Sequence, residues 1–129
     1  MGFVCNHLHL RSEDPDNAAK FYVDNFGASI AETRPLSTTV SHRLELNGQP
    51  LLTVSGRADG EDPVAGSTEP RYGLDHFGFE TDDIQAAFSQ FKSTGANIIC
   101  DPWTMPSGSQ VMFVEAPDKV SLEIIQRPS

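Results

Sequence analysis

The strongest constraint on the fold of this 129-residue chain is an internal repeat. Each half contains a histidine-bearing alternating stretch, an acidic turn, a stretch rich in alanine and phenylalanine, and then a Gly-Ala pair. The spacing agrees between the halves, since His7 to Gly27 is 20 residues and His76 to Gly95 is 19 residues. One deletion therefore aligns two copies of a module of about 55 residues.

Each module has the residue pattern of a βαβββ unit, in which alternation predicts strands and a 3.6-residue period predicts the helix. The predicted elements are strand 3–10, helix 15–25 and strands 28–34, 38–46 and 50–55 in the first module, and strand 74–80, helix 83–93 and strands 96–101, 110–115 and 120–126 in the second. Ser12 or Asp14 is the expected N-cap of the first helix. Thr81 or Asp82 is the expected N-cap of the second. The pair Asn47-Gly48 predicts a hairpin turn.

This organisation predicts an α+β fold in one domain. We expect the domain to cover 1–129, with modules at 1–56 and 72–127. The segment 57–71 is rich in glycine, proline and acidic residues, which is typical of a linker. A module of about 55 residues is small for a stable core of its own, so the two modules are expected to close over a shared cleft.

The charge and cysteine content narrow the class of protein. Nine Lys and Arg against 18 Asp and Glu give a net charge of −9, which disfavours binding to nucleic acid or to an anionic membrane surface. We expect no signal peptide and no membrane span, because no apolar run approaches about 20 residues. Cys5 and Cys100 have apolar neighbours and are predicted to be small core residues in a reducing, cytoplasmic compartment.

The candidate functional residues follow from strand alternation, because residues i and i+2 of a strand share a face. Leu8 and Leu10 suit the side that packs on the helix, which leaves His7 and His9 on the opposite side. His76 is the repeat equivalent of His7. The simplest alternative for any one of these histidines is a structural or solvated side chain.

The last strand of the second module adds a carboxylate to that face. Leu122 and Ile124 suit the core, so Glu123 points to the other side. Aligning the two terminal hairpins places Leu52 at the corresponding position of the first module. Two imidazoles and one carboxylate form a facial set that binds a divalent first-row metal and leaves coordination positions open. The predicted ligands are His7, His76 and Glu123.

These motifs resemble the vicinal oxygen chelate superfamily, which includes glyoxalase I, bleomycin-resistance proteins, fosfomycin-resistance enzymes and extradiol dioxygenases. The matching stretches are Asn6–Leu10, Ala19–Tyr22, Asp75–Phe79, Phe113–Asp118 and Ser121–Ile125. The resemblance implies that paired βαβββ modules form an open barrel-like cup around a metal (the glyoxalase/bleomycin resistance/dihydroxybiphenyl dioxygenase fold). Glyoxalase-type members use four ligands, and Leu52 would replace the carboxylate of the first module.

The resemblance implies an enzyme that uses a divalent ion, with Fe²⁺, Mn²⁺, Zn²⁺ and Ni²⁺ not distinguished. The ion would chelate two neighbouring oxygens of a small substrate and act as a Lewis acid, in lyase, isomerase or dioxygenase chemistry. Two alternatives remain open: a non-catalytic, resistance-type protein that binds a small molecule, and a degenerate member with an interaction role. The family also implies a homodimer that exchanges modules, so that the ligands of one site come from two subunits.

Three further residues are candidates for the reaction itself. His9 shares the face of His7 and is a candidate acid or base, or else a polar wall residue. Arg43 and Glu45 alternate with leucines and would line the cup, where Arg43 could hold a substrate anion. The alternative is an Arg43–Glu45 surface pair. His42 lies on the leucine phase and is expected at a strand edge or an interface.

Overall fold

The computed structural model describes residues 2–129. Its elements in chain order are β1 (Leu8–Arg11), α1 (Pro15–Phe26), β2 (Ser29–Pro35), β3 (Val40–Leu46), β4 (Gln49–Ser55), β5 (Phe77–Glu80), α2 (Ile84–Ser93), β6 (Ile98–Thr104), β7 (Gln110–Ala116), a 3₁₀ turn (Pro117–Lys119) and β8 (Val120–Gln126). The predicted βαβββ order is thus confirmed in both halves, and the α+β class with it. The chain forms two compact units, Met1–Ala65 and Gly66–Ser129, whose boundary falls inside the predicted linker.

The two units have the same sheet topology. The strand order is β1-β4-β3-β2 in the first sheet and β5-β8-β7-β6 in the second. In each sheet the short first strand pairs in parallel with the last strand, and the other pairs are antiparallel. The register also repeats, since Leu8 lies beside Leu52 and Phe77 lies beside Leu122. Residues beside these pairs in one sheet therefore have counterparts in the other.

Each unit has a small core between its helix and one face of its sheet. The buried residues of the first core include Ala18, Ala19, Tyr22, Leu44, Leu52 and Val54. Those of the second include Ile84, Phe91, Met112, Val114, Leu122 and Ile124. Burial of one such leucine, isoleucine or phenylalanine contributes about 1.5–3 kcal/mol. These contacts fix the sheet face that packs on the helix, and so also the face that carries the candidate site.

Both helices start with the same local hydrogen bonds. Asp14 caps α1 by accepting from the backbone N–H of Asn17 at 3.1 Å, as one of the two alternatives predicted. Asp83 caps α2 by accepting from the N–H of Ala86 at 3.0 Å, so the prediction of Thr81 or Asp82 is wrong. Thr81 instead accepts from the N–H of Asp83 at 3.2 Å, which orients the capping residue.

The first strand of each module is shorter than predicted. The alternating pattern starts at residues 3 and 74, but pairing starts only at Leu8 and Phe77. Phe3 is 89% exposed. Cys5 is exposed too, so its prediction as a core residue is wrong, while Cys100 is partly buried. Alternation describes the side chains and cannot reveal where the neighbouring strand ends, which is what limits these edge strands.

The hairpin turn at Asn47-Gly48 is confirmed. Both residues have positive φ, 52° and 77°, as a type I′ turn requires. Within residues 2–129, no helix has the length and apolar character needed to cross a membrane.

Candidate metal centre

The face of each sheet that lies away from its helix, here called the distal face, carries the candidate residues. In the second unit, Phe113, Glu123 and Gly78 lie side by side in register on β7, β8 and β5. His76 immediately precedes β5. Its Nε2 atom is 3.9 Å from Oε1 of Glu123, and its ring meets that of Phe113 edge to face, with centroids 5.0 Å apart. His76 and Glu123, two of the three predicted ligands, therefore lie close together in the second unit.

The preceding residue orients His76. Oδ2 of Asp75 lies 2.7 Å from Nδ1 of His76. A carboxylate oxygen can only accept, so Nδ1 donates and the neutral ring keeps a lone pair on Nε2. This is the arrangement in which proteins present histidine to a metal, with a carboxylate or carbonyl on the opposite nitrogen.

His7 has the same local arrangement in the first unit. Its Nδ1 lies 2.6 Å from Oδ1 of Asn6, which again leaves Nε2 as the acceptor. The side chain is exposed and precedes β1 as His76 precedes β5. Asn6-His7 and Asp75-His76 are thus equivalent in sequence, in position and in the hydrogen bond that sets the tautomer.

The spacing of the pair in the second unit fits a divalent ion. Imidazole nitrogen and carboxylate oxygen bind zinc at about 2.0–2.2 Å, which places two ligands of a tetrahedral site roughly 3.4 Å apart. The separation of 3.9 Å between His76 and Glu123 exceeds this only slightly, and rotation of either side chain closes the gap. The two side chains are 32% and 27% exposed, so an ion can reach them.

The structure corrects the residue that corresponds to Glu123 in the first unit. Leu52 is completely buried and pairs with Leu8 and Leu44 on the helix side of the sheet. Thr53 pairs with His9 and Arg43 on the distal face, as Glu123 pairs with Gly78 and Phe113. The prediction for Leu52 is wrong by one residue, and the position carries a hydroxyl.

His9 lies next to Thr53 and is held by a buried serine. Its Nε2 is 2.6 Å from Oγ of Ser55, which is 4% exposed. Partial burial lowers the pKa of His9 from its ordinary value of 6.5, and the positive charge of Arg11 lowers it further, with a smaller electrostatic contribution from His7. Since the lowered pKa favours the neutral ring near pH 7, His9 can accept a proton there.

Arg43 and Glu45 form an ion pair. Nη1 of Arg43 donates to Oε2 of Glu45 at 3.2 Å, and the two side chains are 45% and 31% exposed. The surface pair that the sequence left open as an alternative is therefore present. Arg43 also lies in register with Thr53, so its guanidinium belongs to the same face as His9.

His42 lies on the helix side, away from the other histidines of the first unit. It is 6% exposed and bridges α1 and β2. Asp16 accepts from Nε2 at 2.6 Å, and Thr33 lies 2.8 Å from Nδ1. The expectation of a strand edge or interface is wrong, because the helix covers this position and Asp16 supplies a polar partner.

The structure brings together one pair of the predicted ligands, His76 and Glu123. Within residues 2–129, no group of three or more His, Cys, Asp or Glu side chains is close enough to hold a metal ion. The assignment of His7 as the third ligand stays a prediction.

Sequence reasoning missed the residues that support these side chains, which are Asn6, Thr53, Ser55, Asp75, Gly78 and Phe113. Asn6 and Asp75 had a usable signal, since each is an oxygen-bearing side chain before a repeat-equivalent histidine. Ser55 had none, because its partner His9 lies 46 residues earlier in the chain.

Comparison with known proteins gives a consistent result. A family model described as the Glyoxalase/Bleomycin resistance protein/Dioxygenase superfamily matches residues 4–124. A lactoylglutathione lyase of Haemophilus influenzae is 28% identical over 133 residues, which cover 95% of this chain and 92% of that protein. A lactoylglutathione lyase of Arabidopsis thaliana is 25% identical over 122 residues, and the chain spans only 43% of its length.

Two solved structures illustrate the likeness in fold. A glyoxalase family protein from Bacillus cereus has a TM-score of 0.86 at 11% identity, with coverage of 100% of this chain and 97% of that chain. Glyoxalase I from Zea mays has a TM-score of 0.76 at 23% identity, with coverage of 96% and 44%. The chain belongs to the Glyoxalase/Bleomycin resistance protein/Dioxygenase superfamily.

Proposed function

We propose that this chain is a divalent-metal-dependent enzyme that acts on a small substrate with two neighbouring oxygens. Glu123 and His76 would hold the ion from the second unit, and His7 is the third ligand. The observation that carries the proposal is the pair in the second unit, in which Nε2 of His76 faces Oε1 of Glu123 at 3.9 Å while Asp75 fixes the ring. Neutral imidazole and ionised carboxylate need no unusual pKa to bind a metal.

The position of Thr53 shapes this proposal. It lacks the carboxylate that a four-ligand member would have there, so three protein ligands leave positions for both substrate oxygens. A bound ion would act as a Lewis acid on those oxygens. The proton acceptor is then a residue other than the one at position 53.

His9 is the residue we assign to that role. Its ring lies in register with Thr53 and its lowered pKa keeps it neutral near pH 7. A neutral imidazole can take a proton from a carbon that neighbours a polarised oxygen. Ser55 limits rotation of the ring through the hydrogen bond at Nε2.

The relatives support proton-transfer chemistry of the lyase or isomerase type over ring cleavage. The names of the curated relatives specify lactoylglutathione. In that thioester the carbonyl oxygen and the hydroxyl oxygen sit on adjacent carbons, and the hydroxyl-bearing carbon carries a hydrogen. Both features match a site that chelates two oxygens and has a base beside them. Lactoylglutathione is therefore the first compound to test.

Titration with Co²⁺ tests the proposal directly, since its visible absorption reports the coordination geometry. The protein stripped with a chelator should bind one ion per chain, and His76→Ala should weaken binding by more than about 100-fold. Glu115→Gln is the matched control, because Glu115 lies on the same strand as Phe113 but pairs with Asn97 and Lys119. Unchanged affinity in His76→Ala would exclude the site.

A parent protein that binds no Co²⁺ would also refute the metalloenzyme. The remaining hypothesis would then be a resistance-type protein that binds a small molecule without catalysis. Isothermal titration with lactoylglutathione and no metal would distinguish that outcome from a chain with no small-molecule ligand.

The proposal includes a homodimer. Apolar side chains are exposed at equivalent places before β1 and β5, namely Phe3, Val4, Tyr72 and Leu74. Clusters of exposed apolar side chains are typical of interaction surfaces. Sedimentation at micromolar concentration should give twice the mass of 14.1 kDa, and a metal-binding monomer would contradict this part.

A further inference from the structure

We propose that Gly78 and Phe113 position the His76–Glu123 pair for an ion, an inference that rests on the proposed metal site. Neither residue can bind a metal itself. Phe113 fixes the plane of the imidazole, and Gly78 leaves the space that the Glu123 side chain needs. Both are therefore positioning residues of the second unit.

His76 needs such support because the sheet does not hold it. Strand β5 begins at Phe77, so the backbone of His76 lies just outside the ladder with β8. The hydrogen bond from Nδ1 goes to Asp75, whose side chain is 63% exposed. Rotation of this exposed carboxylate would let the ring turn if nothing else restrained it.

The ring of Phe113 supplies the second restraint. It meets the imidazole at an interplanar angle of 88° with centroids 5.0 Å apart, a favoured edge-to-face geometry. Phe113 also lies in register with Glu123 on the neighbouring strand. One aromatic side chain therefore contacts the imidazole beside the carboxylate that shares its ion, and its loss affects the angle between the two ligands.

Gly78 acts by its size. A Cβ atom at this position would lie 3.1 Å from the backbone oxygen of Glu123, 3.4 Å from its Cβ and 3.6 Å from Oε1. The first of these contacts is tighter than ordinary packing and involves backbone, so the strand or the carboxylate would have to shift. Glycine at 78 thus lets Glu123 lie across β5 and reach towards His76.

The first unit supports this interpretation. At the equivalent pair of positions, β1 carries His9 and β4 carries Thr53. A large residue faces a small one there, whereas in the second unit glycine faces glutamate. In the first unit the larger residue of the pair is on the first strand, and in the second unit it is on the last strand. A long carboxylate on the last strand is thus accompanied by a glycine on the first.

Metal affinity without turnover tests the inference. Phe113→Leu and Gly78→Ala should each weaken Co²⁺ binding by about 10-fold, in the range typical of residues that orient metal ligands. Phe113→Tyr keeps the ring and should stay within about twofold of the parent. Phe88→Leu is the matched control, since it makes the same change in a partly buried phenylalanine of α2.

Two further measurements separate positioning from general loss of structure. Urea unfolding should show that every variant is folded under the assay conditions. In the metal-free protein, the ring-proton resonances of His76 should move in Phe113→Leu and remain in place in Phe88→Leu, because the ring current of Phe113 acts only at short range.

Folded Phe113→Leu and Gly78→Ala variants that bind Co²⁺ as tightly as the parent would overturn this inference and leave the proposed function standing. A parent that binds no Co²⁺ would overturn both. Weaker binding in Phe113→Leu, with recovery in Phe113→Tyr, is the result that we expect.

Discussion

The first and second units have the same strand order, and their first strand and last two strands pair in the same register around Thr53 and Glu123. Thr53 corresponds to Glu123, His9 to Gly78 and Arg43 to Phe113. The next set of paired residues on the distal face is polar in the first unit and mostly apolar in the second. It contains Arg11, Ser55, Ser41 and Arg34 in the first unit and Glu80, Ile125, Val111 and Trp103 in the second.

This comparison separates the position of a side chain, which the repeated module determines, from its chemistry, which it does not. Backbone pairing determines where side chains stand on the distal face, and that is common to both units. The chemistry of those side chains does not depend on the backbone pairing. The first unit presents His9, hydroxyls and an Arg–Glu pair, whereas the second presents His76 and Glu123 beside an aromatic ring. Equivalent positions of the two units therefore carry side chains of different chemistry.

Glu123→Thr makes the second unit like the first and should have the largest effect. It removes one of the two proposed ligands in that unit, so Co²⁺ affinity should fall by more than about 100-fold. The side chain is 27% exposed, and the variant should unfold at nearly the same urea concentration as the parent. A folded variant that binds Co²⁺ with parental affinity in this titration would show that Glu123 is not a metal ligand.

His9→Gln removes the proposed base from the first unit and should leave metal binding intact. A general base contributes about 100-fold or more to a rate, so kcat with lactoylglutathione should fall by that factor while Co²⁺ affinity stays near the parental value. Stopped-flow or absorbance assays give kcat, and calorimetry gives the affinity. An unchanged kcat would remove His9 from the mechanism.

The pH dependence of the rate of the parent protein is a second test of His9 as the base. His9 accepts a proton only when neutral, and its pKa lies below 6.5. The rate should therefore rise with pH through an apparent pKa below 6.5 and reach its plateau at higher pH. In His9→Gln this rise should be absent, and a profile that is identical in both proteins would argue against His9.

His42→Ala addresses a polar contact in the core of the first unit. The buried imidazole bridges Asp16 and Thr33, whereas its counterpart in the second unit is the fully buried Met112. Its removal leaves a cavity under α1, which should lower the free energy of unfolding by about 2–4 kcal/mol. Asp16→Asn should cost under about 1 kcal/mol, because that side chain is 80% exposed and keeps an acceptor oxygen.

The helix caps should show the smallest effect and no difference between units. Asp14→Ala and Asp83→Ala each remove one capping acceptor and should each lower the free energy of unfolding by about 1 kcal/mol. Urea unfolding measures both. Asp82→Ala is the control and should be neutral, whereas a cost equal to that of Asp83→Ala would show that the cap is assigned to the wrong residue.

Most of the fold was predictable because the repeat is strong and alternation is a local property. The pairing of His76 with Glu123 was also predictable, since both follow from strand phase. The error at Leu52 has a specific cause. Between Leu44 and Glu45 the register with β4 shifts by one residue, so Leu51 is an extra residue on β4. The second hairpin has no such shift between β7 and β8, and counting from the turns therefore misplaces the equivalent of Glu123 by one.

Other features depend on contacts between distant parts of the chain. His42 shows this well, because alternation placed it correctly with the leucines but could not reveal Asp16, which is 26 residues away in sequence and covers it from α1. The start of β1 is similar, since the extent of a strand depends on its neighbour. Thus sequence patterns predicted the faces, and long-range pairing decided the partners.

The facing pairs on the first and last strands constrain how such a chain can change over generations. A mutation of Thr53 to glutamate would place a long carboxylate beside His9, in space that glycine provides in the second unit. The reverse change at Gly78 would crowd Glu123. Glutamate at position 53 therefore requires a residue smaller than histidine at position 9, so the order of the two substitutions matters. Side chains that face each other on the first and last strands of a module are therefore expected to change as pairs.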